Sequence, residues 1–304
     1  MPTFRPGVLA ELARNIQGFI GSKDTMQGTK RESEQQEAQA AGARRADSAR
    51  TESGGEVGFV IIGAQKCGTT FLYHLLGQHP RVEPAAKKEI HYFDHHFGKG
   101  IGWYLSHFPE SRVMEGQKTI TGESSPYYMF HPRAPERIAQ VILRARLIAL
   151  LRNPVDRAYS HYQQEARRGY EPLTFEGAIE AEAGRLHGER DRILENESYT
   201  SFNHQNFSYL SRGIYVDQLQ EWLRLFPREQ MLVLKSEDLY GRTPEVLGAV
   251  FEFLDLPYRQ PETVEPCLQG RYPPMDPATR QRLEDFFQPH NRRLYEFLSI
   301  DFGW

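Results

Sequence analysis

The segment that most constrains this chain is an apolar run that ends in a glycine loop. Val57-Gly58-Phe59-Val60-Ile61-Ile62 is short, continuous and rich in β-branched residues. Such a run suits a strand buried on both faces, as in a parallel sheet. It enters the loop Gly63-Ala64-Gln65-Lys66-Cys67-Gly68-Thr69-Thr70, after which Phe71, Leu72, Leu75 and Leu76 share one helical face, stopping before Pro80. A loop between a buried strand and a helix N-terminus is an anion site by construction. The N–H groups of the first turn have no intrahelical partner, and the helix dipole favours negative charge. Gly63 and Gly68 let the backbone close around a phosphate, Lys66 adds a cation, and Thr69 and Thr70 add hydroxyl donors. A nucleotide triphosphatase loop has the form G-x-x-x-x-G-K-[ST]. Gly63 and Gly68 keep that spacing, but Thr69 stands in the lysine's place and the lysine has moved inward to Lys66. With no strong acidic metal site at the end of a neighbouring strand, a magnesium–ATP reading is weakened.

The remainder alternates strands and helices. Thr119–Ser124, Arg146–Leu151 and Gln230–Leu234 are expected strands. Pro135–Leu143, Asp156–Arg168, Phe175–Ala183 (with Gly184 as its stop) and Tyr215–Phe226 are expected helices. Thr243 is expected to cap a helix carrying Val246 to Leu254, and Asp276-Pro277 to open a last one. Gly184 to Ser208 is polar, weakly patterned and expected to be a mobile loop or lid. The expected fold class is therefore α/β, a central parallel sheet flanked by helices.

The domain spans 57–304. From Ser22 to Glu56 almost every residue is polar, small or charged and none is aromatic, so 1–56 is expected to be a disordered N-terminal segment. Within it, Leu9, Leu12, Ile16, Phe19 and Ile20 fall on one helical face. This is either a frayed helix or a short amphipathic helix that touches a membrane or carrier protein. The balance of 37 basic and 40 acidic residues points to no nucleic-acid partner. The two cysteines, Cys67 and Cys267, make no disulfide framework. No apolar stretch reaches the ~18 residues of a membrane span, and the N-terminus lacks an apolar signal core. A cytoplasmic location is expected. The sequence leaves the oligomeric state open.

Lys88-Glu89-Ile90-His91-Tyr92-Phe93-Asp94 carries two candidate acid–base groups. On an extended segment Glu89 and His91 would face the same way. A zinc site from His91, Asp94, His95 and His96 is conceivable but disfavoured, since adjacent histidines on one loop rarely complete a tetrahedral set. Cys67, at a helix N-terminus, is either a low-pKa thiol or structural.

Taken together, Phe59 to Thr70 resembles the 5′-phosphosulfate loop of PAPS-dependent sulfotransferases. Lys88 to Asp94 and Gly102-Trp103-Tyr104-Leu105 resemble segments of the heparan sulfate sulfotransferase branch. Leu151-Arg152-Asn153-Pro154-Val155-Asp156-Arg157-Ala158-Tyr159-Ser160 resembles the family's 3′-phosphate segment, and Gly270-Arg271-Tyr272-Pro273-Pro274-Met275-Asp276 its late nucleotide-closing loop. The resemblance implies PAPS as co-substrate, PAP as product and no metal. It implies Glu89 as base, with His91 as orienting group or alternative base, and Lys66 against the leaving oxygen. It implies cofactor contacts from Gln65, Lys66, Cys67, Gly68, Thr69, Thr70, Arg152, Ser160, Gly270 and Arg271. Tyr215 is a candidate adenine contact or a core residue. The acceptor would be a small molecule, glycan or lipid offering a hydroxyl or amine. Ser124 and Gln269 stand where relatives carry lysines, and Cys267 lacks a local partner, which argues against a heparan-type acceptor. A P-loop kinase or triphosphatase and a non-catalytic PAP-binding protein are the competing readings.

Overall fold

The structure, a computed structural model, describes residues 57–114, 116–264 and 272–304. The expectations for residues 1–56, Cys267, Gln269, Gly270 and Arg271 lie outside the described residues.

The chain opens with β1 (Val57–Gly63) and α1 (Thr69–Leu76), then β2 (Val82–Pro84). After a π-helical turn, Tyr92–His96, come α2 (Ile101–Leu105), the hairpin β3 (Val113–Met114) and β4 (Gln117–Lys118), and β5 (Ile120–Ser124). Next are α3 (Ala134–Ile142), β6 (Arg146–Leu151), α4 (Pro154–Arg167), α5 (Phe175–Leu186), α6 (Glu189–Glu195), α7 (Phe202–Asn206) and α8 (Tyr215–Leu223). The chain closes with β7 (Met231–Lys235), α9 (Ser236–Gly241), α10 (Thr243–Phe253) and α11 (Pro277–Leu298).

Five strands form one sheet in the order β2-β5-β1-β6-β7, every pair parallel. β1 lies at the centre, and Phe59, Val60, Ile61 and Ile62 are completely buried, which accounts for the unbroken apolar run. The chain builds β2 and β5 on one side of β1 and then crosses to β6 and β7 on the other. Ligands of open α/β sheets bind outside the strand ends at such a reversal. The loops after β1 and β6 both open there. A second apolar cluster, including Val155, Phe175, Ile179, Phe207, Leu283 and Phe287, joins α4 and α5 to α11.

Three local expectations are corrected. Gly184 does not stop α5, which runs on to Leu186. The segment expected to be a mobile loop holds α6 and α7. They are fixed by polar cross-links that leave no apolar period: Asn203 donates to the Arg185 carbonyl (3.1 Å), Arg133 to that of Ile193 (2.7 Å), and Tyr199 to buried Glu189 (2.7 Å). Thr243 does not cap α10. It is the first helical residue, and its hydroxyl donates backwards to the Leu239 carbonyl at 2.7 Å. The opening of α11 is as expected: the Asp276 carboxylate accepts from the Thr279 N–H at 2.8 Å.

Candidate active site

Gly68 ends the glycine loop in the left-handed region, φ 88°, and no side chain caps α1. A Cβ at Gly68 would lie 3.0 Å from the Tyr240 hydroxyl. Backbone N–H groups at the start of α1 therefore stay open to a ligand. Gln65, Lys66, Gly68, Thr69 and Thr70 line a cavity of about 990 Å³. Lys66 has φ 71°, and its ammonium donates to Gln164 Oε1 on α4 at 2.7 Å. Burial, with Arg167, Arg152 and Arg168 nearby, lowers its pKa to about 8. Cys67 departs from the expected set. Its side chain is fully buried, with Sγ 3.8 Å from the Tyr215 hydroxyl, and burial pushes the thiol up to about 11. It is a core residue that aims the loop, not a cavity contact.

Arg152 leaves the end of β6, and Asn153 caps α4 by accepting from the N–H groups of Val155 and Asp156. Arg152 lines the cavity beside the first loop and donates to the Lys66 carbonyl at 3.4 Å. Asp156, a possible competitor for it, is ion-paired instead with Arg280 at 2.5 Å. Ser160, two turns into α4, faces the same cavity, followed along the helix by Gln164 and Arg167. The ring of Tyr272 packs edge-on against Tyr159 on the Arg152 side.

Tyr215 is corrected as an adenine contact. Its ring is 1% exposed and its hydroxyl donates to the Arg152 carbonyl at 2.9 Å, so it buttresses the strand end from behind. Phe71, Tyr127, Tyr240 and Tyr272 are the aromatic residues that border the cavity among the described residues, and Phe71 stacks on Tyr240 at 5.4 Å and 8°.

Glu89 and His91 approach from a third direction. Neither is extended, as the sequence reading required. Their φ values are 59° and 57°, and Ile90 between them is completely buried. Turning at both residues around that anchor still brings the side chains together, with His91 Nε2 3.6 Å from Glu89 Oε2. His91 Nδ1 meets Asp94 Oδ2 at 2.7 Å, and Lys88 donates to Glu89 Oε1 at 2.6 Å. The contact with His91 holds the Glu89 carboxyl down at about 2, against burial and with help from Lys88. Burial disfavours charge on His91, but Asp94 and Glu89 overcome it and raise the imidazole to about 10. An imidazolium has no lone pair for a proton, so the free base of the pair is Glu89. His91, Asp94 and His95 also offer donor atoms within 4.8 Å of one another, but the Asp94 carboxylate is already bonded to His91 and to the His95 N–H.

The loop carrying this pair hangs on β5. Glu89 donates its N–H to the Ser124 carbonyl (3.2 Å) and His91 its N–H to Ser125 Oγ (3.3 Å). The Tyr128 hydroxyl accepts from the Tyr92 N–H (2.9 Å). Ser125 and Tyr128 both donate to Glu123, a buried carboxyl that burial pushes up to about 7. Sequence reasoning missed Glu123 and Tyr128 as supports, and Gln164, Arg167, Arg168, Arg212, Glu237 and Tyr240 as cavity residues. The α4 residues were findable, since Gln164 and Arg167 continue the helical face of Ser160. Arg212 and Tyr240 carry no such signal.

A central parallel sheet that offers a glycine loop, a strand-end arginine and a loop carboxylate to one cavity defines an α/β protein built to hold a phosphate-bearing ligand against a base. The chain belongs to the sulfotransferase domain family, which matches residues 58–272. It is 29% identical to the membrane-associated sulfotransferase kil1 of Dictyostelium discoideum, over 81% of this chain and 66% of that protein. It is 33% identical to human heparan sulfate glucosamine 3-O-sulfotransferase 3B1, over 81% of this chain and 64% of the relative. The chain thus spans about two thirds of the length of these curated relatives. The crystal structure of a sulfotransferase from Alicyclobacillus acidocaldarius superposes with a TM-score of 0.65 at 28% identity, covering 81% of this chain and 97% of that one. The α/β sulfotransferase fold expected from the sequence is the fold found.

Proposed function

We propose that the protein moves the sulfuryl group of PAPS to a hydroxyl or amine of a glycan, lipid or natural product and releases PAP. The observation that carries this reading is convergence. Lys66, Arg152, Ser160 and Glu89, delivered by three separate segments, line the same cavity. Among the described residues six lysines and arginines border it (Lys66, Lys88, Arg152, Arg167, Arg168, Arg212) against three carboxylates (Glu89, Asp156, Glu237), a balance suited to a polyanionic nucleotide.

In this reading the 5′-phosphosulfate lies in the loop from Gln65 to Thr70, and Arg152 and Ser160, with Gly270 and Arg271, take the 3′-phosphate. Arg152 suits that task because a guanidinium can grip phosphate through two hydrogen bonds. The acceptor oxygen or nitrogen attacks sulfur in line with the bond to the 5′-phosphate, that S–O bond breaks, and Glu89 takes the acceptor's proton. Charge grows on the leaving phosphate oxygen, where Lys66 stabilises it. His91 and Asp94 hold Glu89 ionised and in place. Arg167, Arg168 and Lys88 favour an acceptor that is itself anionic, which keeps glycans of the kind named for the human relative within the class.

The position of Lys66, inside the loop and not after Gly68, weighs against a kinase or triphosphatase. The Glu89–His91–Asp94 chain weighs against a binding protein without turnover. A cytoplasmic location is part of the same proposal; among the described residues no helix is long and apolar enough to cross a membrane. Calorimetry tests the nucleotide: PAP is expected to bind more tightly than ATP with magnesium, and the reverse order would return the site to the triphosphatase class.

A further inference from the structure

Arg212 is 1% exposed, yet it lines the cavity and makes no ion pair among the described residues. A buried cation without a direct ion pair is costly, and burial, with Arg157 nearby, lowers this one to about 9. Its guanidinium is held by other means. Nη2 donates to the carbonyls of His204 (3.0 Å) and Gln205 (2.8 Å), and Cζ lies 5.0 Å from the ring centroids of both Tyr127 and Phe130. Nη1 donates to the side-chain oxygen of Gln65, the residue before Lys66, and Nε has no partner among the described residues.

A guanidinium has five donors and no acceptor, so the atom of Gln65 that faces it must be the amide oxygen. The amide –NH2 is thereby turned away from Arg212. It has no hydrogen-bond partner among the described residues, on a side chain that lines the cavity next to Lys66. A glutamine free to flip would offer oxygen or nitrogen to a ligand. This one is locked as a donor.

We propose that Arg212 is a positioning residue that fixes Gln65 as an N–H donor to the sulfuryl oxygens of PAPS. This rests on the PAPS reading above. The pair would hold the sulfuryl group while Lys66 attends to the leaving oxygen, and Gln65 would distinguish PAPS from PAP, which lacks that group. A guanidinium aimed at Gln65 also excludes the flipped amide, whose oxygen would repel the same sulfuryl oxygens.

The test is calorimetric titration of PAPS and of PAP into wild type, Gln65→Met, Arg212→Met and the double variant, with thermal melts of each. Gln65→Met is expected to weaken PAPS about 10-fold, the scale of one lost hydrogen bond to a charged group, while PAP stays within about twofold. Arg212→Met is expected to lower the PAPS-to-PAP affinity ratio similarly, with no further loss in the double variant. Arg212→Lys keeps the buried charge and serves if Arg212→Met does not fold. One ammonium cannot replace the fork that reaches both carbonyls and Gln65, so the ratio should fall here too. An unchanged ratio in Gln65→Met, or additive losses in the double variant, would overturn the inference. Failure of wild type to bind either nucleotide would instead overturn the PAPS reading.

Discussion

The ammonium of Lys66 rests on the side-chain oxygen of Gln164, 2.7 Å away and ninety-eight residues later in the chain. The partner is a neutral amide, so the lysine is held in place without being neutralised by a carboxylate. Burial, with crowding by arginines, has brought it to about 8, so near that pH a large share of free protein carries an uncharged Lys66.

An anion bound in the glycine loop should reverse that shift, because phosphate beside the amine favours the ammonium. Binding of PAP at pH 8 is therefore expected to take up protons from solvent, and its affinity to decline as pH rises further. Titrations in two buffers of different ionisation enthalpy measure the uptake directly. Lys66→Met should abolish most of it.

His91 supplies a stability signature. Its folded pKa of about 10 lies above the ordinary 6.5, so the stability it contributes is complete below pH 6.5 and is lost as pH rises through 10. Lys66 acts in the opposite sense, its folded pKa being lowered, so the total curve mixes the two. The difference between wild type and His91→Gln isolates the first: it should be largest near pH 6 and shrink steadily towards pH 10 in thermal melts. A difference independent of pH would show that the Asp94 and Glu89 contacts do not hold the imidazolium.

Arg152→Ala tests the 3′-phosphate assignment. Loss of a charge-assisted contact is worth about 1.5–3 kcal/mol, or roughly 10- to 100-fold. PAP affinity should fall by that much while AMP, which lacks the 3′-phosphate, changes little. Equal losses for both ligands would place Arg152 elsewhere on the nucleotide.

Tyr215→Phe removes the hydroxyl that supports the Arg152 carbonyl from the core side. It should lower stability by about 1 kcal/mol in urea denaturation and leave the preference for adenine over guanine nucleotides intact. A changed base preference would restore Tyr215 to the binding surface.

Much of this architecture was legible in the sequence because the physics is local. A strand buried on both faces must be continuously apolar, and Val57 to Ile62 is. The helix cap Asp276 acts within three residues of itself. What was not legible depends on distant partners. Tyr215 sits at helical spacing whether it faces adenine or the core, and only the carbonyl of Arg152 decides. Glu89 and His91 have the spacing of an extended pair, yet they meet through two left-handed residues pinned by Ile90, Ser124 and Ser125. The segment from Gly184 to Ser208 lacked an apolar period because its helices are tied by Asn203, Arg133 and Glu189. Arg212 looked like any surface cation and is buried against aromatic rings.

In the proposed reaction Glu89 accepts the acceptor's proton during sulfuryl transfer. Its carboxyl is held near 2, so it stays ionised throughout the pH range of ordinary assays. The direct measurement is transfer of radiolabelled sulfur from PAPS to a panel of glycan, lipid and phenolic acceptors by wild type and by Glu89→Gln. Wild type is expected to label at least one class, and the variant to do so about 10²- to 10⁴-fold more slowly with PAP affinity within about twofold. Equal rates for the two proteins would show that Glu89 is not the base.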